Sequence, residues 1–165
     1  MINGLLIVLV IGAVSIVALV RIVPLTGRST LVVAGPSMAP TIATGSAIVI
    51  EPVDAAALAV GDVVSIRSGP IRAVFTHRII RLVERDGALW LETKGDANAS
   101  ADPSILPASD VLGRVVAVAP YLGYAIVLGS TTSGLILIVA VGLLLLTCAW
   151  ILDPKRSGDR LLQPA

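Results

Sequence analysis

The sequence predicts a mainly β protein, a compact antiparallel β domain flanked by two transmembrane α-helices. Three observations predict it. The chain is 56% hydrophobic with a mean hydropathy of +0.96, too apolar for an ordinary soluble domain, while its aromatic content is only 3%. Two long stretches without a charged residue lie near the two ends. Between them, short runs rich in β-branched residues alternate with Gly, Pro, Asp and Asn, the pattern of strands joined by turns.

The first element is an N-terminal anchor over residues 1–23. No charge occurs from Met1 to Val20, and GLLIVLVIGAVSIVALV is long enough at helical rise to cross a hydrocarbon core of roughly 30 Å. Arg21 and Pro24 close it. The opening MIN has no basic leader and VALVRIVPL is a poor small-residue cleavage site, so a retained anchor is expected in place of a removable signal peptide.

Residues 24–119 form the β-rich domain. Its strand candidates are STLVVAG, SAIVIEP, DVVSIRSG, IRAVFTHRIIRLVERDG, LWLETKGD and VLGRVVAV. Gly45, Gly61, the Ser68–Pro70 turn, the RDG of Arg85 to Gly87 and the loop GDANASADPSILPAS punctuate them. Only DAAALAV reads as helical, for one or two turns. In the longest run, strict alternation puts Ile71, Ala73, Phe75 and His77 on one face; the adjacent Ile79 and Ile80 then break the period, so a bulge or bend is expected near the histidine. RDG followed by ALWLET reads as a hairpin.

After the domain, residues 120–134 are broken by Pro120, Gly123, Gly129 and STTSG, and with Tyr121 and Tyr124 they suit an interfacial segment. Residues 135–152, LILIVAVGLLLLTCAWIL, are about the minimum length for a second transmembrane helix. Residues 153–165 are then a cytoplasmic tail. Two spans leave both termini on one side. Basic residues do not decide which side, since Lys155, Arg156 and Arg160 in the tail nearly balance Arg21, Arg28 and Arg114 between the spans.

Charge excludes one class of partner. Pro24 to Arg114 carries eight basic and nine acidic residues, so no nucleic-acid footprint exists. The single Cys148 falls within the second span, which rules out an intramolecular disulfide. No metal-ligand cluster, phosphate-cradling loop or dinucleotide fingerprint is present, so no cofactor is expected.

Three features stand apart from scaffolding: Ser37 in GPSMAPT, His77 in FTHRI, and the acidic pair Asp96 and Asp102 in TKGDANASADPS. His77 is the chain's one histidine. A serine hydroxyl is a weak nucleophile until a base takes its proton, and a third group usually orients that base. Serine, histidine and a carboxylate suffice for acyl transfer. Each also has a bland reading: a serine in a Gly/Pro loop is commonly a turn residue, a histidine in a strand commonly structural, and Asp after Gly or before Pro commonly a turn former.

Taken together, VVAGPSMAPTI, LAVGDVVSI, FTHRII and TKGDAN…DP, in this order between two membrane segments, resemble the type I signal peptidases. More narrowly, they resemble the archaeal and endoplasmic-reticulum branch, in which histidine replaces a lysine base. The resemblance runs from about Leu31 to Tyr124. It implies a membrane-bound serine endopeptidase that removes signal peptides from secretory preproteins after small residues. Its partners would be those signal peptides, the lipid bilayer and the secretion translocon, with the β domain extracytoplasmic and both termini cytoplasmic.

Carried over by position, the resemblance implies that Ser37 is the nucleophile and His77 the general base. Of the two aspartates, the resemblance favours Asp102 as the acid that contacts the histidine and Asp96 as the one that holds the loop, and the sequence leaves the choice between them open. Gly35, Pro36 and Met38 would meet the substrate, Met38 shaping the pocket floor. Gly35 stands where many relatives carry a serine that helps bind the oxyanion, and Pro36 has no N–H. The N–H of Ser37 is then the expected donor, with a second donor unidentified. ANAS after Asp96 and TGS at Thr44 to Ser46 also depart from the family pattern.

A lysine base must lose several units from about 10.4 before it accepts a proton near neutrality, whereas histidine starts at about 6.5 and works in a partly solvated site. Of the two lysines, Lys155 lies beyond the second span and Lys94 beside Gly95 and Asp96 suits a solvated ion pair. Two other readings remain: a self-cleaving repressor, which would need a lysine base and a DNA-binding domain that are both missing, and a non-catalytic membrane-anchored β module of a secretion or assembly complex.

Overall fold

The computed structural model describes residues 11–12, 15, 22–69 and 73–151. Seven strands, β1 (Ser29–Val32), β2 (Ala47–Glu51), β3 (Val63–Ser68), β4 (Ala73–Arg85), β5 (Ala88–Lys94), β6 (Leu106–Pro107) and β7 (Val111–Ala119), form one sheet in the order β1-β2-β7-β3-β4-β5-β6. Every pairing is antiparallel. The protein is therefore mainly an antiparallel β structure.

Alternation in the sequence becomes alternation in burial. On β5, Leu91 and Thr93 are buried while Glu92 and Lys94 between and beyond them are only partly covered. On β4, His77 and Ile79 are buried with Phe75 partly so, and the period holds through Ile79. The irregularity lies between Ile79 and Arg81, three residues past the histidine, where Ile80 becomes exposed. At the far end Asp86 (φ 51°) and Gly87 (φ 72°) both take the left-handed conformation, which a two-residue hairpin requires to match the strand twist.

Two apolar clusters hold the sheet. Leu58, Val64, Ile66, Ile79, Leu91 and Ala108 form one; Met38, Ile42, Ile48 and Ile50 form the other. Each large side chain buried this fully contributes about 1.5–3 kcal/mol. The second cluster lies under the loop that carries Ser37, so it fixes the site as well as the fold.

The structure adds local detail to these expectations. DAAALAV, expected to be helical for one or two turns, forms one 3₁₀ turn, Ala55–Ala57, after which Leu58 enters the core. The loop GDANASADPSILPAS contains the short strand β6, paired with Trp90 and Leu91. The segment 120–134, expected as an interfacial approach, contains helix α1 (Leu122–Ser130) and the start of helix α2 (Thr132–Ile151). The β unit runs on to Ile126, and residues from Val127 belong to a second unit.

The second span was expected over 135–152. Helix α2 starts three residues earlier, yet no single helix among the described residues is long and apolar enough to cross a membrane. Only α1 together with Thr132–Cys148 meets that test, broken at the polar STTSG patch. The expected anchor, residues 1–23, lies almost wholly outside the described residues, as does the tail 153–165.

Candidate active site

Ser37 sits in an excursion between β1 and β2. Its ends are clamped by Val33 N–H to Ser46 O (2.9 Å) and Gly45 N–H to Val33 O (2.8 Å). Within it, Ala39 N–H bonds Pro36 O and Ile42 N–H bonds Met38 O, so the chain from Pro36 to Ile42 is tightly turned. Met38 and Ile42 are 1% and 2% exposed. They point into the core, and a serine beside a buried methionine on a turned segment cannot drift far. Gly35 is half-buried and Pro36 exposed at the lip of this turn.

His77 projects from the other direction. Its position on β4 is set by ladder pairing with Val64 of β3, and its ring meets Phe75 edge-on at 5.0 Å between centroids. Nε2 lies 3.1 Å from Ser37 Oγ. Nδ1 lies 2.6 Å from Asp102 Oδ2. An ionised carboxylate only accepts, so Nδ1–H donates the hydrogen bond to Asp102, and in that tautomer Nε2 presents a lone pair. Ser37 Oγ–H can donate to that lone pair. The His77 and Asp102 side chains are 11% and 14% exposed, which leaves their contact largely out of water.

Asp96 is placed differently. Arg78 Nε and Nη2 donate to its two carboxylate oxygens at 2.9 and 2.7 Å, a bidentate pair, while Arg78 Nη1 donates to Gly61 O at 2.8 Å. The Arg78 hydrogen bonds, helped by the Thr41 hydroxyl and opposed by burial, hold the Asp96 carboxyl below the usual carboxylate range. The same contact raises Arg78 further above its ordinary value. Asp96 thus fastens the 95–98 loop to β4 and to the segment after Ser37; its hydrogen bonds go to Arg78 and Thr41, while those of the His77 ring go to Asp102 and Ser37.

Two contributors were not singled out from the sequence. Thr93, fully buried on β5, donates its hydroxyl to Asp102 Oδ2 at 2.6 Å and accepts the Asp102 N–H on its carbonyl at 2.9 Å. A polar residue at an inward position of ALWLET was the available signal. Gly95 is the other: a Cβ there would lie 2.6 Å from Ser37 O and 3.0 Å from His77 Nε2. Only a residue without a side chain lets the loop pass this close, and from there Ala97 N–H reaches Ser37 O at 2.8 Å.

The surroundings suit an extended ligand. β4 residues 73–77 pair with β3, while pairing with β5 begins only at Arg78, so one edge of this half-strand has no neighbouring strand among the described residues. A hollow of about 260 Å³ flanks His77 and Asp102, walled by Phe75, Leu106 and Pro103 with Ser68 and Ser104. No group of three or more His, Cys, Asp or Glu able to hold a metal occurs among the described residues.

No family model matches the chain. Over 75 residues it is 40% identical to signal peptidase I W of Bacillus subtilis (strain 168), a match that takes in 45% of this chain and 38% of that protein. The chain thus matches well under half of that relative's length. This partial likeness supports the type I signal peptidase family, and with it a serine protease.

Proposed function

We propose that the chain is a membrane-bound signal peptidase of the Ser–His type, the archaeal and endoplasmic-reticulum branch, cutting secretory preproteins after small residues. The observation that carries this reading is the continuous contact Ser37 Oγ to His77 Nε2 (3.1 Å) and His77 Nδ1 to Asp102 (2.6 Å).

His77 takes the hydroxyl proton as Ser37 Oγ attacks the carbonyl of the scissile bond. Asp102 holds the ring in the tautomer that can do this and balances the imidazolium that forms. The N–H of Ser37 stabilises the oxyanion; one such donor is worth about 10²–10³ in rate. His77 then returns the proton to the leaving amine, and water, activated by the same ring, releases the acyl-enzyme.

A preprotein in extended form would add to the open edge of Ala73–Thr76, with backbone pairing for affinity and shallow pockets for small side chains. Gly35 and Pro36 at the lip and Met38 beneath would bound that site. The uncharged stretches 1–20 and 135–152 would serve as its membrane anchors, and because signal peptides are cut on the far side of the membrane, this function would have the β domain extracytoplasmic, both termini in the cytoplasm and the translocon among its neighbours.

The test is cleavage of a model preprotein by the purified full chain in detergent, alongside Ser37→Ala and His77→Ala. Cleavage by the parent alone is expected. Equal cleavage by all three would remove the mechanism, and no cleavage by any would favour a membrane-anchored module without catalysis.

A further inference from the structure

We infer that Thr93 is a positioning residue for the catalytic acid, a fourth member of the relay that sets where Asp102 points. This rests on the protease reading of Ser37 and His77.

Asp102 belongs to an irregular loop, whereas His77 belongs to a strand, and a loop carboxylate needs a fixed reference to hold a 2.6 Å contact with a strand-borne ring. Thr93 supplies it at two points. Its carbonyl takes the Asp102 N–H, and its hydroxyl donates to Oδ2, the same oxygen that receives His77 Nδ1. Because both donors converge on one oxygen, rotation of the carboxylate would break both bonds together. Thr93 itself is fully buried and pairs with Ile79 across the β4–β5 ladder, two residues from His77. The sheet register therefore fixes the distance between acid holder and base. A buried hydroxyl merely seeking any acceptor would not need the second, backbone contact to the same residue.

Thr93→Val keeps the shape and removes the donor, leaving the carboxylate with His77 alone; Thr93→Ser keeps the donor. The expected result for the full chain with a model preprotein is a kcat about 10- to 100-fold lower in the Val variant, with KM within about twofold, and recovery to within about threefold in the Ser variant. His77 is the only histidine, so ¹⁵N-histidine labelling reports a single ring. Its Nδ1 proton resonance should shift in Thr93→Val and return in Thr93→Ser. If the Val variant fails to fold, Thr93→Ala takes its place in both measurements.

An unchanged kcat and an unchanged Nδ1 resonance in the hydroxyl-free variant would overturn the inference, as would equal losses in the Val and Ser variants. Full cleavage by Ser37→Ala would instead overturn the protease reading, and the His77 resonance would still decide the Thr93 contact without reference to activity.

Discussion

The imidazole of His77 lies 3.1 Å from the hydroxyl of Ser37, although 40 residues separate them in the chain. Two unrelated constraints produce this meeting. One is the β3–β4 register, which delivers His77 opposite Val64. The other is the buried Met38–Ile42 turn, which leaves Ser37 facing out of the core.

The two aspartates should separate cleanly under mutation. Asp102→Asn offers His77 an amide in place of an acceptor-only carboxylate and permits the wrong tautomer, so a loss of kcat of about 10³–10⁴-fold is expected with the fold retained. Asp96→Asn should instead lower the melting temperature and leave more residual activity. Preprotein cleavage and thermal denaturation of both variants check this; the reverse pattern would assign the orienting role to Asp96.

Acid should weaken the protein partly through Asp96. Arg78 lowers the proton affinity of that carboxyl in the folded state, so near its ordinary value of about 3.9 the unfolded chain binds more protons than the folded one. The stability the pair contributes is fully present above that value and disappears as pH falls through the folded pKa. Urea midpoints measured from about pH 6 down to about pH 3 should fall more steeply for the parent than for Asp96→Asn. Parallel slopes would mean that the ion pair adds nothing.

Gly95 is expected to tolerate no side chain. Alanine would set its Cβ against Ser37 O and His77 Nε2, so either the loop retreats and releases the Ala97 contact or the ring turns away from Ser37. Gly95→Ala should cut preprotein cleavage by about 10²-fold, since a displacement of about 1 Å is enough for that. Activity within a factor of two of the parent would show that the close approach is not needed.

Met38→Ala should cost about 2–5 kcal/mol, the range for emptying a packed site, because Met38 is 1% exposed among Ile42, Ile48 and Ile50. Denaturant unfolding measures this directly. A cost below about 1 kcal/mol would mean that the turn does not depend on its anchor.

Most of the β architecture was legible because β-branched runs bounded by Gly and Pro carry their own signal: all six expected strands lie where such runs occur. β6 was not, since a two-residue strand ending in proline has neither period nor propensity and exists only because β5 offers it an edge. Ile79 and Ile80 signalled the bulge, but which of the two leaves the ladder depends on the pairing with Thr93 and Glu92. Toward the C-terminus, STTSG marked the break, while the segment before it, read as an interfacial approach from Tyr121 and Tyr124, contains the helix Leu122–Ser130.

The site was legible in a different way. Ser37, His77 and the two aspartates stood out by their chemistry, but their roles came from motifs whose order resembles a family, and nothing in their spacing alone brings them together. The choice between Asp96 and Asp102 turns on Arg78, whose fork occupies both oxygens of Asp96. Thr93 escaped notice because threonine is ordinary in a strand, and only its inward position distinguishes it.

The most direct test of the central claim is mass spectrometry of the protein quenched during turnover of a peptide ester ending in alanine, in the parent, Ser37→Ala and His77→Ala. An acyl group on the peptide that contains Ser37, in the parent alone, is the expected result. An equal adduct in His77→Ala, or an adduct that persists in Ser37→Ala, would contradict it.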